Sequence, residues 1–251
     1  MTPRVHDQKL TMELEVWPFH LDLRGQYPLS QVVARMIHVA GVHASHFGYG
    51  IDHLMQHGSS WVLSRMSIRF EEPVEVKPLY ITTGVTDWSG ISTDRTILLQ
   101  QGEELRAVSN TKWIAIDIDK RMPLPIDRIL NDTAVRATFD NVELPEIPRR
   151  LIDRQLADRL QSVYTHTVRY TDLDINCHVN TSVWVSLAMD ALPLEHILQR
   201  KMYEAHMRFA HEAKLGQHLD VKCHSDGLTD YIQIEESESI CFQLMIKWKV
   251  E

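Results

Sequence analysis

Residues 66–83, MSIRFEEPVEVKPLYITT, return in altered form at 205–223, AHMRFAHEAKLGQHLDVKC, with Arg69-Phe70 falling on Arg208-Phe209. A second pair of markers, TKWIAI at 111–116 and IKWKVE at 246–251, comes further on in each half. A fold used twice leaves such traces at matching offsets. Between the markers both halves hold strand-like segments, YITTGVTDW, RTILLQ and SICFQLMIKWKV, punctuated by the turn-forming SG, QGEE and SDG. Ahead of them each half has one helical stretch. In the first it spans roughly 29–57, with a break expected around Gly48 and Gly50. In the second it starts near residue 180, where TSVWVSLAMDALP sets Val183, Leu187 and Ala191 at helical spacing and offers Asn180, Thr181 or Ser182 as the cap.

A strand, a long helix and then several antiparallel strands give a sheet wrapped around a helix, the hotdog layout. The expected fold class is therefore α+β, with two tandem hotdog domains at 1–130 and 158–251. The intervening 131–157 reads as a connector, since the region from residue 121 onward is rich in proline and weak in alternation.

The bulk numbers exclude several classes. The chain has 251 residues, room for one large domain or two of ordinary size. Lys plus Arg number 26 against 34 Asp plus Glu, and the net charge of −8 argues against a general binder of nucleic acid or anionic membranes. Three cysteines, Cys177, Cys223 and Cys241, are odd in number and lack CxxC spacing, so neither a disulfide framework nor a zinc ribbon is expected. A reducing cytoplasm fits that usage. The N-terminus MTPRVHDQKL has no apolar secretory core, and no run approaches the roughly 18 apolar residues of a membrane span.

The densest chemistry lies at 172–180, DLDINCHVN. Asp174, Asn176 and His178 are spaced by two, which in an extended segment puts them on one side of the chain and Cys177 on the other. The plainer reading of Asp174 and Asn176 is a turn whose side chains bond nearby backbone. The cluster leads into a helix N-terminus, whose N–H groups and dipole favour developing negative charge. Nothing like DxNxH precedes the first-half helix, which starts from RGQYPLSQ, so the second half is expected to carry the chemistry. His43 with His46 and His53 with His57 have helical spacing, yet no acidic ligand completes a metal pattern such as HExxH, and neither a metal nor a cofactor is expected.

With repeat and cluster placed, the sequence resembles the acyl-acyl carrier protein (acyl-ACP) thioesterases, the plant fatty-acid thioesterases and their bacterial relatives. In the first half, WVLSRMSIRFEEPVEVKPLYITTGVTDWSGISTDRTILL and RAVSNTKWIAIDIDKRMPLPI look like the family's N-terminal hotdog; in the second, YTDLDINCHVNTSVWVSLAMDALP is similar to its Asp-x-Asn-x-His-Val-Asn run leading into a helix. The resemblance implies hydrolysis of a fatty acyl thioester held on acyl carrier protein. It implies catalytic roles for Asp174, Asn176 and His178, and for Glu212 as the glutamate of the following strand. Plant members carry a cysteine directly after that glutamate, where this chain has Ala213, and the second asparagine of the family's run is Thr181 here. At the repeat alignment Glu212 falls opposite Pro73.

For the first half the resemblance favours an acyl tunnel, with Ala40, Ala44, Met55, Trp61 and Met66 as candidate lining residues. Acyl carrier protein is the expected partner, and Arg149, Arg150, Arg154, Arg200 and Lys201 are candidates for docking it. The oligomeric state stays open, a homodimer being one option. Two other functions compete: a hotdog thioesterase acting on acyl-CoA, and a non-catalytic acyl-binding sensor.

Overall fold

The structure, a computed structural model, describes residues 3–130 and 136–250. Residues 131–135 of the expected connector and Glu251 of the second marker lie outside them. The chain divides into two compact units, Met1–Tyr27 with Arg35–Ile147, and Pro28–Ala34 with Pro148–Glu251.

The first unit holds strands β1 (Arg4–His6) and β2 (Lys9–Leu14), helices α1 (Leu29–His46, whose opening residues to Ala34 group with the second unit) and α2 (Ile51–Gln56), strands β3 (Ser59–Phe70), β4 (Leu79–Ser89), β5 (Ser92–Gln101), β6 (Glu104–Asp117) and β7 (Met122–Pro123), and the short helix α3 (Asp127–Leu130). Its antiparallel sheet runs β1-β2-β4-β5-β6-β3, with β7 paired to β6. The second unit holds α4 (Arg154–Ala157), β8 (Gln161–Thr167), α5 (Thr181–Asp190), α6 (Leu194–Gln199), β9 (Arg200–Phe209), β10 (His218–Asp226), β11 (Thr229–Glu236) and β12 (Ser239–Val250). Its sheet runs β9-β12-β11-β10-β8.

The two sheets have one topology. Strands β2, β4, β5, β6 and β3 are joined in the same order as β8, β10, β11, β12 and β9, and in each unit a helix falls between the first strand and the next. This is the hotdog fold twice over. The repeated Arg-Phe pairs close equivalent strands, Arg69-Phe70 ending β3 and Arg208-Phe209 ending β9. The equivalence continues past the strand ends: Glu71 and Glu72 donate their N–H groups to the Arg106 carbonyl, as Ala210 and His211 do to that of Cys241.

Local chemistry explains the elements. α1 buries Val32, Val33, Met36, Val39, Ala40 and Ala44 along one stripe. It stops where Gly48 takes φ +81°. Gly50 then passes so close to α1 that a Cβ there would lie 2.3 Å from Ser45 Oγ and 2.6 Å from its Cα. The interruption expected near these glycines is thus a packed corner. Gly90, Gly102 and Gly227, all at positive φ, turn the hairpins β4–β5, β5–β6 and β10–β11. In the second unit α5 buries Trp184, Val185, Leu187 and Ala188. The Trp184 ring stacks on Phe242 of β12 at 6.3 Å, and Phe242 meets Phe209 at 5.0 Å. Burial of each such side chain contributes about 1.5–3 kcal/mol, enough to hold the α5 N-terminus in place.

Candidate active site

The segment 172–180 is not extended. Residues 175–178 form a tight turn closed by a bridge between Leu173 and Val179, with the Asp174 N–H donating to the His178 carbonyl at 2.8 Å. Asp174 organises it: one carboxylate oxygen accepts the N–H of Asn176 at 2.8 Å and of His178 at 3.3 Å, while the other faces Asn176 Nδ2 at 3.4 Å. A short side chain that can bond backbone two residues on outcompetes the strand, which is why spacing by two misleads here. Cys177 occupies the corner at φ +61°, exposed.

Two further anchors fix this turn. Asp172 accepts from His166 Nε2 and from the Arg169 N–H, both at 2.7 Å, and its carbonyl receives the Asn180 N–H at 2.8 Å. On the other side the Val179 N–H donates to the carbonyl of Ala213 at 2.9 Å. That bond ties the turn to the irregular stretch between β9 and β10. Glu212 therefore lies just beyond strand β9, which ends at Phe209, and not within a strand as the resemblance implies.

The consequence is a contact between residues 34 positions apart: His178 Nε2 lies 3.2 Å from Glu212 Oε2, the imidazole 18% and the carboxylate 33% exposed. Both are sheltered yet open to water. Asn180 caps α5, its side-chain oxygen accepting the N–H of Ser182 at 3.0 Å and its hydroxyl at 2.9 Å. The structure thus brings Asp174, Asn176, His178 and Glu212 into one locality beside a helix N-terminus. A carboxylate–imidazole pair can take a proton from water, and the Thr181 N–H at the start of α5, which the Asn180 cap does not engage, can point at an oxyanion.

Both parts of the chain match family models: residues 7–133 match the acyl-ACP thioesterase N-terminal domain and 157–249 the C-terminal domain. The chain belongs to the acyl-ACP thioesterase family. It is accordingly a thioester hydrolase with acyl-ACP as the substrate the family implies. An acyl-ACP thioesterase from Bacteroides thetaiotaomicron is similar in structure, with TM-score 0.84 and 23% identity over 96% of this chain and 98% of that one. A 12:0-ACP thioesterase from Umbellularia californica has TM-score 0.83 and 14% identity over 99% and 100%. At these identities the likeness shows the fold. No curated protein sequence matches the chain.

Of the candidate lining residues, Ala40, Ala44 and Trp61 border a cavity of about 240 Å³ in the first unit. Met55 lies half-exposed on α2 and Met66 is wholly buried within β3; neither borders it. The cavity also meets Tyr49, Arg95 and Trp113. Arg95 is not among the sequence candidates, although its alternation with Ile97 and Leu99 along β5 places a charge on the inward face. Among the described residues no group of His, Cys, Asp or Glu is placed to hold a metal ion, and no helix is long and apolar enough to cross a membrane. Arg149, Arg150 and Arg154 are exposed, while Arg200 and Lys201 are partly buried.

Proposed function

We propose that the second unit hydrolyses acyl-ACP through Asp174, Asn176, His178 and Glu212 and releases a free fatty acid for fatty acid biosynthesis, while the first unit holds the acyl chain. The 3.2 Å contact between His178 and Glu212 carries this reading, because it pairs a base with its orienting partner where water can enter. The pair takes the proton of a water that attacks the thioester carbonyl carbon. The Thr181 N–H at the start of α5 and the dipole of that helix hold the resulting oxyanion. As it collapses, the C–S bond breaks and the proton passes to the departing thiolate of the carrier protein. Asp174 positions this machinery: its carboxylate is engaged by two backbone N–H groups of the turn, which hold it in place as a structural acceptor. Asn176, whose Nδ2 donates to Asp174 at 3.4 Å, is assigned as a polar partner for the moving charge.

Residues 1–130 and 158–251 are assigned as acyl-binding and catalytic domains, with 131–157 joining them. The exposed Arg149, Arg150 and Arg154 suit an acidic carrier protein. Purified protein incubated with acyl-ACPs of several chain lengths beside the matching CoA esters should hydrolyse the ACP forms at higher kcat/KM. Equal or better rates on acyl-CoA would favour the CoA-specific alternative, and no hydrolysis of either would leave an acyl sensor.

A further inference from the structure

The first-unit cavity contains a charge that an unmodified alkyl chain does not need. Arg95 is 5% exposed and borders a space that Ala40, Ala44, Trp61 and Trp113 line together with the neutral polar Ser45 and Thr93. Its guanidinium donates to Thr83 Oγ1 at 3.3 Å and to the Tyr49 hydroxyl. Among the described residues no carboxylate pairs with it.

The neighbours are arranged so that none can neutralise it. His43 Nε2 donates to the Gln8 carbonyl at 3.0 Å, which leaves Nδ1 to accept from the Tyr49 hydroxyl at 3.2 Å, and Tyr49 in turn offers its lone pairs to Arg95. Burial holds the His43 ring down to about 3, so it stays neutral, and burial raises the Tyr49 phenol, so it stays protonated. A guanidinium carries five N–H donors and remains charged at any working pH. Two neutral hydroxyls do not compensate a buried charge, whereas a carboxylate would, in the two-pronged geometry a guanidinium favours.

We propose that this cavity binds a short alkyl chain ending in a carboxylate, with the carboxylate on Arg95 and the chain along Ala40, Ala44, Trp61 and Trp113. The inference rests on the first unit's role as the acyl-binding half. The shared chemistry has two sources: the released fatty acid, which would make the cavity a product site, or the far end of a dicarboxylic acyl chain, which would make it a specificity subsite.

Calorimetric titration with octanoate and with 1-octanol separates charge recognition from greasy contact. Octanoate should bind roughly tenfold or more tightly, the factor a shielded charge-assisted pair supports, and Arg95→Met should abolish the difference. Ala44→Phe, which fills the cavity while keeping the cation, should weaken octanoate strongly and serves if Arg95→Met does not fold. Equal affinity for acid and alcohol, an acid preference that survives Arg95→Met, or unchanged octanoate binding in Ala44→Phe would each overturn the inference. Octanoate that inhibits octanoyl-ACP hydrolysis competitively marks the product site. A lower KM for the ACP thioester of octanedioic acid marks the subsite. No acid preference in the parent protein, with its acyl-ACP turnover intact, would sink this inference alone, and absent turnover would sink the hydrolase reading whatever the titration gives.

Discussion

Glu212 reaches His178 beside the backbone bond from the Val179 N–H to the Ala213 carbonyl, outside the buried interior, so the pair can be tested without disturbing the core. Glu212→Gln and His178→Ala should each lower kcat/KM at least about 100-fold, the low end for a positioned acid–base group, with melting temperature nearly unchanged. Cys177→Ala should retain most activity, because that thiol sits exposed at a turn corner. A well-folded Cys177→Ala without activity would contradict the carboxylate–imidazole mechanism. In the first unit, His43 makes a prediction about acid stability. Its folded value of about 3 lies below the ordinary 6.5, so as pH falls through 6.5 the unfolded chain takes up a proton that the folded protein refuses. Stability from this group is therefore full above pH 6.5 and lost toward pH 3, by up to about 1.4 kcal/mol per unit. Denaturation midpoints at about pH 7 and about pH 5 should differ less for His43→Gln than for the parent; equal differences would exonerate His43.

The element that links fold to chemistry is α5. Sequence leaves its cap open among Asn180, Thr181 and Ser182, and the geometry selects Asn180, which satisfies the Ser182 N–H. Asn180→Ala should cost about 0.5–2 kcal/mol in urea denaturation and also reduce turnover, since the same helix end is assigned the oxyanion. Asn180→Asp keeps the acceptor and should keep the stability. If Asn180→Ala is less stable yet fully active, the oxyanion is held elsewhere. The helix itself is legible because Val183, Leu187 and Ala191 keep its period, and the preceding turn is not, because side-chain capping by Asp174 leaves no periodic trace.

Across the whole molecule, one topology occurs twice, and on the proposed division the two copies serve different tasks. The loop after β3 and the loop after β9 are anchored alike, yet Pro73 stands in the first where Glu212 stands in the second, and buried Val74 answers to buried Ala213. A polar set that the fold does not require in one copy is free to serve chemistry in the other. On that division, Ala40→Phe in the first-unit cavity should shift preference toward shorter acyl-ACPs while leaving the rate on the shortest nearly constant. Extra volume in a packed interior costs about 1–3 kcal/mol, so melting curves must accompany the product profile. An unchanged profile in a stable variant would move the acyl chain to another site.

Local pattern along the chain is enough for the duplicated α+β plan, because strand period, helix period and glycine turns are short-range signals that repeat with the fold. Residue type and family resemblance likewise mark Asp174, Asn176, His178 and Glu212. Neither carries their geometry. The turn at 175–178 is local but aperiodic, whereas the meeting of His178 with Glu212 across 34 residues and the burial of Arg95 beside Tyr49 and His43 depend on partners distant in the chain. Folding alone sets these, since a hydrogen bond or a desolvated charge depends on groups brought within about 3 Å, and spacing along the chain does not encode that.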